Sequence, residues 1–324
     1  MKAIVNTVYG SPDVLQFKDV EKPVPQDDQI LIKIKVASVN ALDWHLLRAD
    51  PFLARLSFGL FKPKHTILGA DIAGVVEAVG KKVQQFKPGD EVFGDLFSCG
   101  LGGFAEYACA REENMVLKPT NLSFEEAAAV PIAALTALQA LRDHGHIQPG
   151  QKVLINGAAG GVGTFAVQIA KAFGAEVTGV CGTKNVELVR SLGADHVIDY
   201  TQEDFTQKGQ AYDLILAANG YHPIAHYKRA LSAKGIYVMS GGTMAQFTEA
   251  IMWGPWITMT GTKKMGNMMA KSNPKDLGFL KELIEAGKVK PVIDRRYPLS
   301  EVAQAIRYLE EGHARGKVVI GVGE

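Results

Sequence analysis

The strand-like run Lys152 to Asn156 leads into Gly157-Ala158-Ala159-Gly160-Gly161-Val162-Gly163 and then into the helix formers Thr164 to Phe173. This constrains the fold more than any other part of the chain. A strand that turns on glycines directly into a helix is the opening of a βαβ unit. The glycines let the backbone approach a ligand closely, and the free N–H groups at the helix start suit a pyrophosphate. A tight glycine-rich turn that holds no ligand is the other reading of the same residues. The following segments continue the pattern. Strands are expected at Glu176 to Cys181, His196 to Asp199, Asp213 to Ala218 and Ile236 to Ser240, with helices at Asn185 to Leu192 and Ile224 to Leu231. Gly174 and Gly193 fall where helix C-caps belong. Alternating βα units with short links predict an α/β fold with a doubly wound parallel sheet.

The first 120 residues read differently. Ile30, Ile32, Ile34 and Val36 recur with period two, and further short apolar runs are separated by turn chemistry such as Lys87-Pro88-Gly89-Asp90, which predicts a β-rich domain. Ser123-Phe124-Glu125-Glu126 has the form of a capping box and opens an Ala-rich helical stretch. Helices at Asp276 to Ala286 and Ser300 to Glu311, and a β-branched run at Lys317 to Val322, lack partner strands in the doubly wound part. They are assigned back to the first domain. The expected division is residues 1–122, an inserted domain at 123–264, and a return at 265–324.

Composition excludes several classes. With 35 Lys+Arg against 34 Asp+Glu and no long basic run, nothing favours nucleic acid. The most apolar stretch, Ala127 to Leu141, is broken by Pro131 and is too short for a membrane span of roughly 20 residues. Met1 to Val5 enters a strand-like segment with no signal-peptide pattern, so a cytoplasmic location is expected. The three cysteines, Cys99, Cys109 and Cys181, are widely spaced and fit neither a disulfide framework nor a clustered metal site.

The end of the second strand separates the two nicotinamide dinucleotides. An acidic residue there would accept the ribose 2′-OH of NAD. The sequence instead reads Cys181-Gly182-Thr183-Lys184-Asn185, whose donors suit a 2′-phosphate and so favour NADPH. Lys184 is also readable as an exposed helix-start lysine, and Tyr200 either lines the adenosine site or closes the third strand.

These segments together resemble the medium-chain dehydrogenase/reductase superfamily, specifically its zinc-free quinone oxidoreductase branch. The resemblance covers nearly the whole length. It rests on Gly69-Ala70-Asp71-Ile72-Ala73-Gly74-Val75-Val76, Phe86-Lys87-Pro88-Gly89-Asp90-Glu91-Val92, Gly102-Gly103-Phe104-Ala105-Glu106-Tyr107, Leu135-Thr136-Ala137, the glycine loop and His313-Ala314-Arg315-Gly316-Lys317. It implies a GroES-like catalytic domain built from both ends of the chain, a Rossmann domain between them, and an active site in the interdomain cleft. Positions that hold catalytic zinc in the superfamily's alcohol dehydrogenases are here Asn40, Ala70 and Ile132. None is a thiolate or imidazole, so no metal is expected.

Without a metal, hydrogen bonds must stabilise charge on the substrate oxygen, which suits reduction of quinones or α,β-unsaturated carbonyls by hydride from NADPH. The resemblance places Asn40, Asp43 and His45 at the pocket as catalytic candidates. Asn40 would donate from its amide, and Asp43 would orient neighbours. His45 stands where many relatives carry Tyr, and it is a substitute proton donor or else a packing residue. Cofactor contacts are expected from Ala159, Gly160, Gly161, Val162 and Gly163 of the loop, and from Thr183, Lys184, Asn185 and Tyr200. The resemblance adds Thr136 and the segment His313, Arg315 and Lys317. Aromatic and thioether residues between Met244 and Met269 would form either a substrate wall or a homodimer contact. The alternatives to quinone or enone reduction are zinc-free alcohol or ketone chemistry in the same cleft and a non-catalytic NADPH-binding protein.

Overall fold

A computed structural model of the chain describes residues 1–52, 55–207 and 209–323. It divides into two units. The first comprises Met1–Ile132, Ser272–Glu285 and the residues from Pro291 on, and the second Ala133–Lys271 with Ala286–Lys290. The capping box at Ser123 and Glu126 opens the helix Phe124–Ala128. That helix packs on strands Gln29–Val39 and Asp71–Val79, which moves the first division from residue 122 to Ile132. The second moves from residue 264 to Lys271 because Lys264–Asn267, unassigned from sequence, is a strand of the second unit.

The second unit holds a parallel sheet in the order His196–Asp199, Glu176–Cys181, Lys152–Asn156, Tyr212–Ala217, Leu231–Met239, Lys264–Asn267. Val153, Leu154, Ile155, Leu214, Ile215 and Leu216 are fully buried, as expected of strands covered on both faces. Strand order reverses between Lys152–Asn156 and Tyr212–Ala217, and the glycine loop leaves the sheet at that switch point, where open α/β sheets bind ligands. Two glycines are obligatory there. Gly157 has φ +84°, and a Cβ on Gly163 would lie 2.1 Å from the Gly157 carbonyl oxygen.

The apolar segment that begins at Met244 forms the helix Met244–Thr260. It buries Gln246, Ala250, Gly254 and Ile257 and leaves Met252, Trp253, Trp256 and Met259 exposed. No described helix is long and apolar enough to cross a membrane.

The first unit carries a mixed sheet in the order Ile293–Pro298, Lys317–Gly321, Gln29–Val39, Asp71–Val79, Glu91–Asp95, Met115–Leu117, with Tyr107–Arg111 also paired to Gln29–Val39. Ile30, Ile32 and Ile34 face its core while Lys33 and Lys35 face outward, the period-two pattern of the sequence. Lys317–Gly321 lies antiparallel to Gln29–Val39, with Val318 opposite Val39. This register sets Lys317 beside Asn40.

Candidate active site

Asn40 ends the strand Gln29–Val39 and caps the helix Ala41–Arg48. Asp43, three residues on, reaches back. Its Oδ2 accepts the Asn40 backbone N–H at 2.7 Å, and its Oδ1 accepts the Gly69 N–H at 3.1 Å. Asp43 has no exposed surface. Burial pushes its carboxyl up to about 7, against the two N–H donors that favour the carboxylate. A fully enclosed carboxyl whose oxygens both hold backbone cannot touch a substrate. Asp43, read from the sequence as a catalytic candidate that orients neighbours, engages backbone with both oxygens.

The side chain of Asn40 is fixed by two further groups. Lys317 Nζ donates to Asn40 Oδ1 at 2.5 Å, and Asn40 Nδ2 donates to Asp71 Oδ2 at 2.9 Å. Because an ammonium can meet only the amide oxygen, the orientation of the amide is determined. One N–H of Nδ2 is left over from these two bonds, on a residue that keeps 7% of its surface. Asp71 also accepts Ser38 Oγ at 3.2 Å, the Ile132 N–H at 3.0 Å and, more distantly, Lys317 Nζ at 3.5 Å. Burial raises the Asp71 carboxyl to about 6, opposed by the Lys317 charge. Burial likewise holds the Lys317 ammonium below its ordinary range. Sequence reading placed Asp71 only inside a motif and assigned Lys317 to the cofactor. In the structure the Lys317 ammonium engages Asn40 Oδ1, the Val39 carbonyl and Asp71.

This cluster decides the fit of a catalytic zinc. Of the three positions in question, Asn40 and Ile132 meet at Asp71 through the bonds above, and Ala70 precedes Asp71 in the chain. An amide engaged on both atoms, a methyl and an aliphatic side chain supply no ligand set, so the residues do not fit the metal.

His45 lies on the same helix, half-buried and stacked on Trp44 with ring centroids 3.6 Å apart. Its Nδ1 is 2.7 Å from the Asp50 carbonyl oxygen. That contact makes Nδ1 the donor and leaves Nε2 as the nitrogen that can exchange a proton. His313 and Arg315 are exposed, with the Arg315 N–H on Asp294 Oδ2 at 2.9 Å.

In the second unit, Gly160 is the N-cap of the twelve-residue helix Gly161–Ala172 and brings no side chain to it. A Cβ on Gly160 would find only the Gly157 oxygen nearby, at 3.5 Å. Ala159, Gly160, Gly161, Val162 and Gly163 thus surround a helix start with free N–H groups and open space, which fits a dinucleotide phosphate. Thr183, Lys184, Asn185 and Tyr200 gather at the ends of Glu176–Cys181 and His196–Asp199. Tyr200 lies against Gly182, and its backbone N–H donates to the Cys181 oxygen. Thr183 Oγ1 is 3.0 Å from Thr201 Oγ1, and Thr201 holds Asp199 through both its N–H and its hydroxyl. Lys184 is exposed, and Asn185 Oδ1 is buried with no hydrogen-bond partner. Such an orphaned acceptor fits a ligand hydroxyl or amine. Thr136 is buried within the helix Pro131–Gln139.

Residues 26–120 match the alcohol dehydrogenase GroES-like domain, and residues 192–320 match a family described as zinc-binding dehydrogenase. The chain is 40% identical to a 2-methylene-furan-3-one reductase of Solanum lycopersicum, over 99% of its own length and 79% of the relative's. It is 37% identical, with the same coverage, to a chloroplastic NADPH-dependent alkenal/one oxidoreductase of Arabidopsis thaliana. The solved quinone oxidoreductase of Coxiella burnetii superposes with a TM-score of 0.89 at 32% identity, covering 100% of this chain and 99% of that one. Both units and the full run of site residues fall within these matches. The chain belongs to the quinone and alkenal/one oxidoreductase family of the medium-chain dehydrogenase/reductase superfamily.

Proposed function

We propose that this protein is a zinc-independent, NADPH-dependent reductase of quinones or α,β-unsaturated carbonyl compounds. The observation that carries this reading is the locked amide of Asn40. Lys317 and Asp71 hold it so that one N–H remains to meet a substrate oxygen. A donor held in place needs no reorganisation when charge develops, and it acts in surroundings of low dielectric. Lys317, drawing on Oδ1, strengthens that remaining N–H. Asp43 fixes the backbone of Asn40 and so sets where the amide stands.

NADPH, when bound, supplies a hydride from C4 of its nicotinamide. The glycine loop and the start of Gly161–Ala172 hold its diphosphate, and Thr183, Lys184, Asn185 and Tyr200 take the 2′-phosphate end. No carboxylate ends the strand Glu176–Cys181, and the Asp199 carboxylate is held by Thr201, which supports NADPH over NADH. Thr136, His313 and Arg315 are further contacts implied by the family. His45 Nε2 takes a proton from solvent and delivers it to complete the reduction, while Nδ1–H stays on the Asp50 carbonyl throughout. The exposed face of Met244–Thr260, with Trp253 and Trp256, is the contact we assign to a homodimer.

The test is product analysis with NADPH and a simple enone, beside quinone-dependent oxidation of NADPH and NADH. Saturated ketone with preference for NADPH supports the proposal. Allylic alcohol would move the reaction to carbonyl reduction, and tight NADPH binding without turnover on any quinone or enone would make the protein a binder.

A further inference from the structure

A second constellation lies in the other unit, apart from every residue used above. Asp204 follows the strand His196–Asp199, His222 follows the strand Tyr212–Ala217, and His226 lies on the helix Ile224–Ala230. One ligand atom from each lies within 4.8 Å of those of the other two. Two imidazoles and one carboxylate, all half-buried, are the donor types that zinc and its neighbours in the transition series prefer.

Each of the three is held by neighbours in a way that suits a ligand. Asp204 Oδ1 accepts the Thr206 N–H at 2.8 Å and Oδ2 accepts Gln207 Nε2 at 3.0 Å, and the Thr206 hydroxyl also donates to the carboxylate, which orients it and leaves a lone pair for an ion. The ring of His222 stands edge-on to Phe205 at 4.8 Å and to Tyr227 at 5.8 Å. Aromatic walls of this kind fix an imidazole without occupying its nitrogens. His226 Nδ1 is buried and has no hydrogen-bond partner, a costly arrangement for a nitrogen that nothing approaches. A metal bound at about 2.1 Å in tetrahedral geometry sets its ligands about 3.4 Å apart. Rotation of two half-buried imidazoles covers the remaining ångström or so.

We propose that Asp204, His222 and His226 form a binding site for a divalent transition metal of the zinc type. The ion would join the connection after one strand to the helix that follows another, and so brace the second unit. It takes no part in hydride transfer, and the site does not depend on which substrate the enzyme reduces. The expectation of no metal rested on the superfamily's catalytic zinc positions and on the spacing of cysteines and histidines along the chain, and the proposed site stands against it.

The experiment uses the full chain dialysed against chelator. Calorimetric titration with zinc chloride is expected to show one equivalent bound, and His222→Ala with His226→Ala should weaken binding by at least about tenfold. Asp204→Asn, which keeps the hydrogen bond from Thr206, should weaken it as well and guards against loss of fold in the double variant. Cobalt(II) in place of zinc should give weak visible bands without the intense thiolate absorption that binding at Cys99, Cys109 or Cys181 would produce. Zinc should also raise the thermal midpoint of the parent but not of the variants. No binding to the parent, equal binding to parent and variants, or a thiolate spectrum would each overturn the proposal.

Discussion

Lys317 Nζ donates to Asn40 Oδ1 at 2.5 Å across 277 positions of sequence. A buried ammonium on an amide oxygen is unusual, because burial disfavours its charge. Its presence is explained if the amide, rather than the lysine, is the group that works. Asn40→Ala should lower kcat by about a hundredfold, the scale for loss of one donor to a developing oxyanion. Lys317→Met should lower kcat with little change in KM for NADPH and should cost about 3 kcal/mol of stability by leaving Asp71 unpaired. Steady-state kinetics and denaturant unfolding check both. An Asn40→Ala enzyme with parental kcat removes Asn40 from the mechanism.

Asp71 makes stability depend on pH in a definite direction. Its carboxyl is raised to about 6 in the fold, so the folded state binds the proton more tightly than the unfolded chain. The stabilisation is complete below about pH 4 and is lost as pH rises through about 6. Asp43, raised to about 7, behaves the same way over a window reaching higher. Asp71→Asn lacks the first contribution. Its stability deficit relative to the parent should therefore narrow by up to roughly 3 kcal/mol between about pH 4 and pH 7. Unfolding curves across that range test this, and a deficit that stays constant or widens contradicts it.

Lys184 is exposed beside Asn185, whose Oδ1 lacks a partner. Lys184→Ala should raise KM for NADPH about tenfold and leave KM for NADH unchanged, since only the former carries the 2′-phosphate. Initial rates with both dinucleotides decide the matter. Equal effects on the two would place Lys184 outside the phosphate contact.

His45→Phe keeps a ring to stack on Trp44 but removes both nitrogens. If Nε2 supplies the proton, kcat should fall by about tenfold or more with little change in KM for NADPH. A parental kcat would leave His45 as a packing residue.

Much of this could be read from the sequence, for reasons specific to each part. The strand, glycine turn and helix at 152–172 were legible because they are consecutive in the chain. The position of Thr183 to Asn185 directly after Glu176–Cys181 was legible for the same reason. Asp71 was not, since a lone aspartate in an apolar strand carries no periodic signal, and its partners come from three separated segments: Ser38 with Asn40, Ile132, and Lys317. Lys317 could be found but not assigned: its side-chain direction depends on the pairing of Val318 with Val39. Asp204, His222 and His226 have no ligand spacing as a set, because the sheet's crossover connection brings Asp204 to the other two.

The pairing of Lys317–Gly321 with Gln29–Val39 also has a consequence for synthesis. Until the distant strand emerges, the Val36–Val39 end of that edge stays open, while Gln29–Lys33 is already paired with Tyr107–Arg111, and Asp71 lacks its cation. The intervening second unit can meanwhile fold from nearly contiguous chain. Locking of the Asn40 amide by Lys317 and closure of that edge are then one event on the ribosome's timescale, so a prematurely terminated chain would have a formed glycine loop, an unlocked amide and an unpaired strand end ready to aggregate.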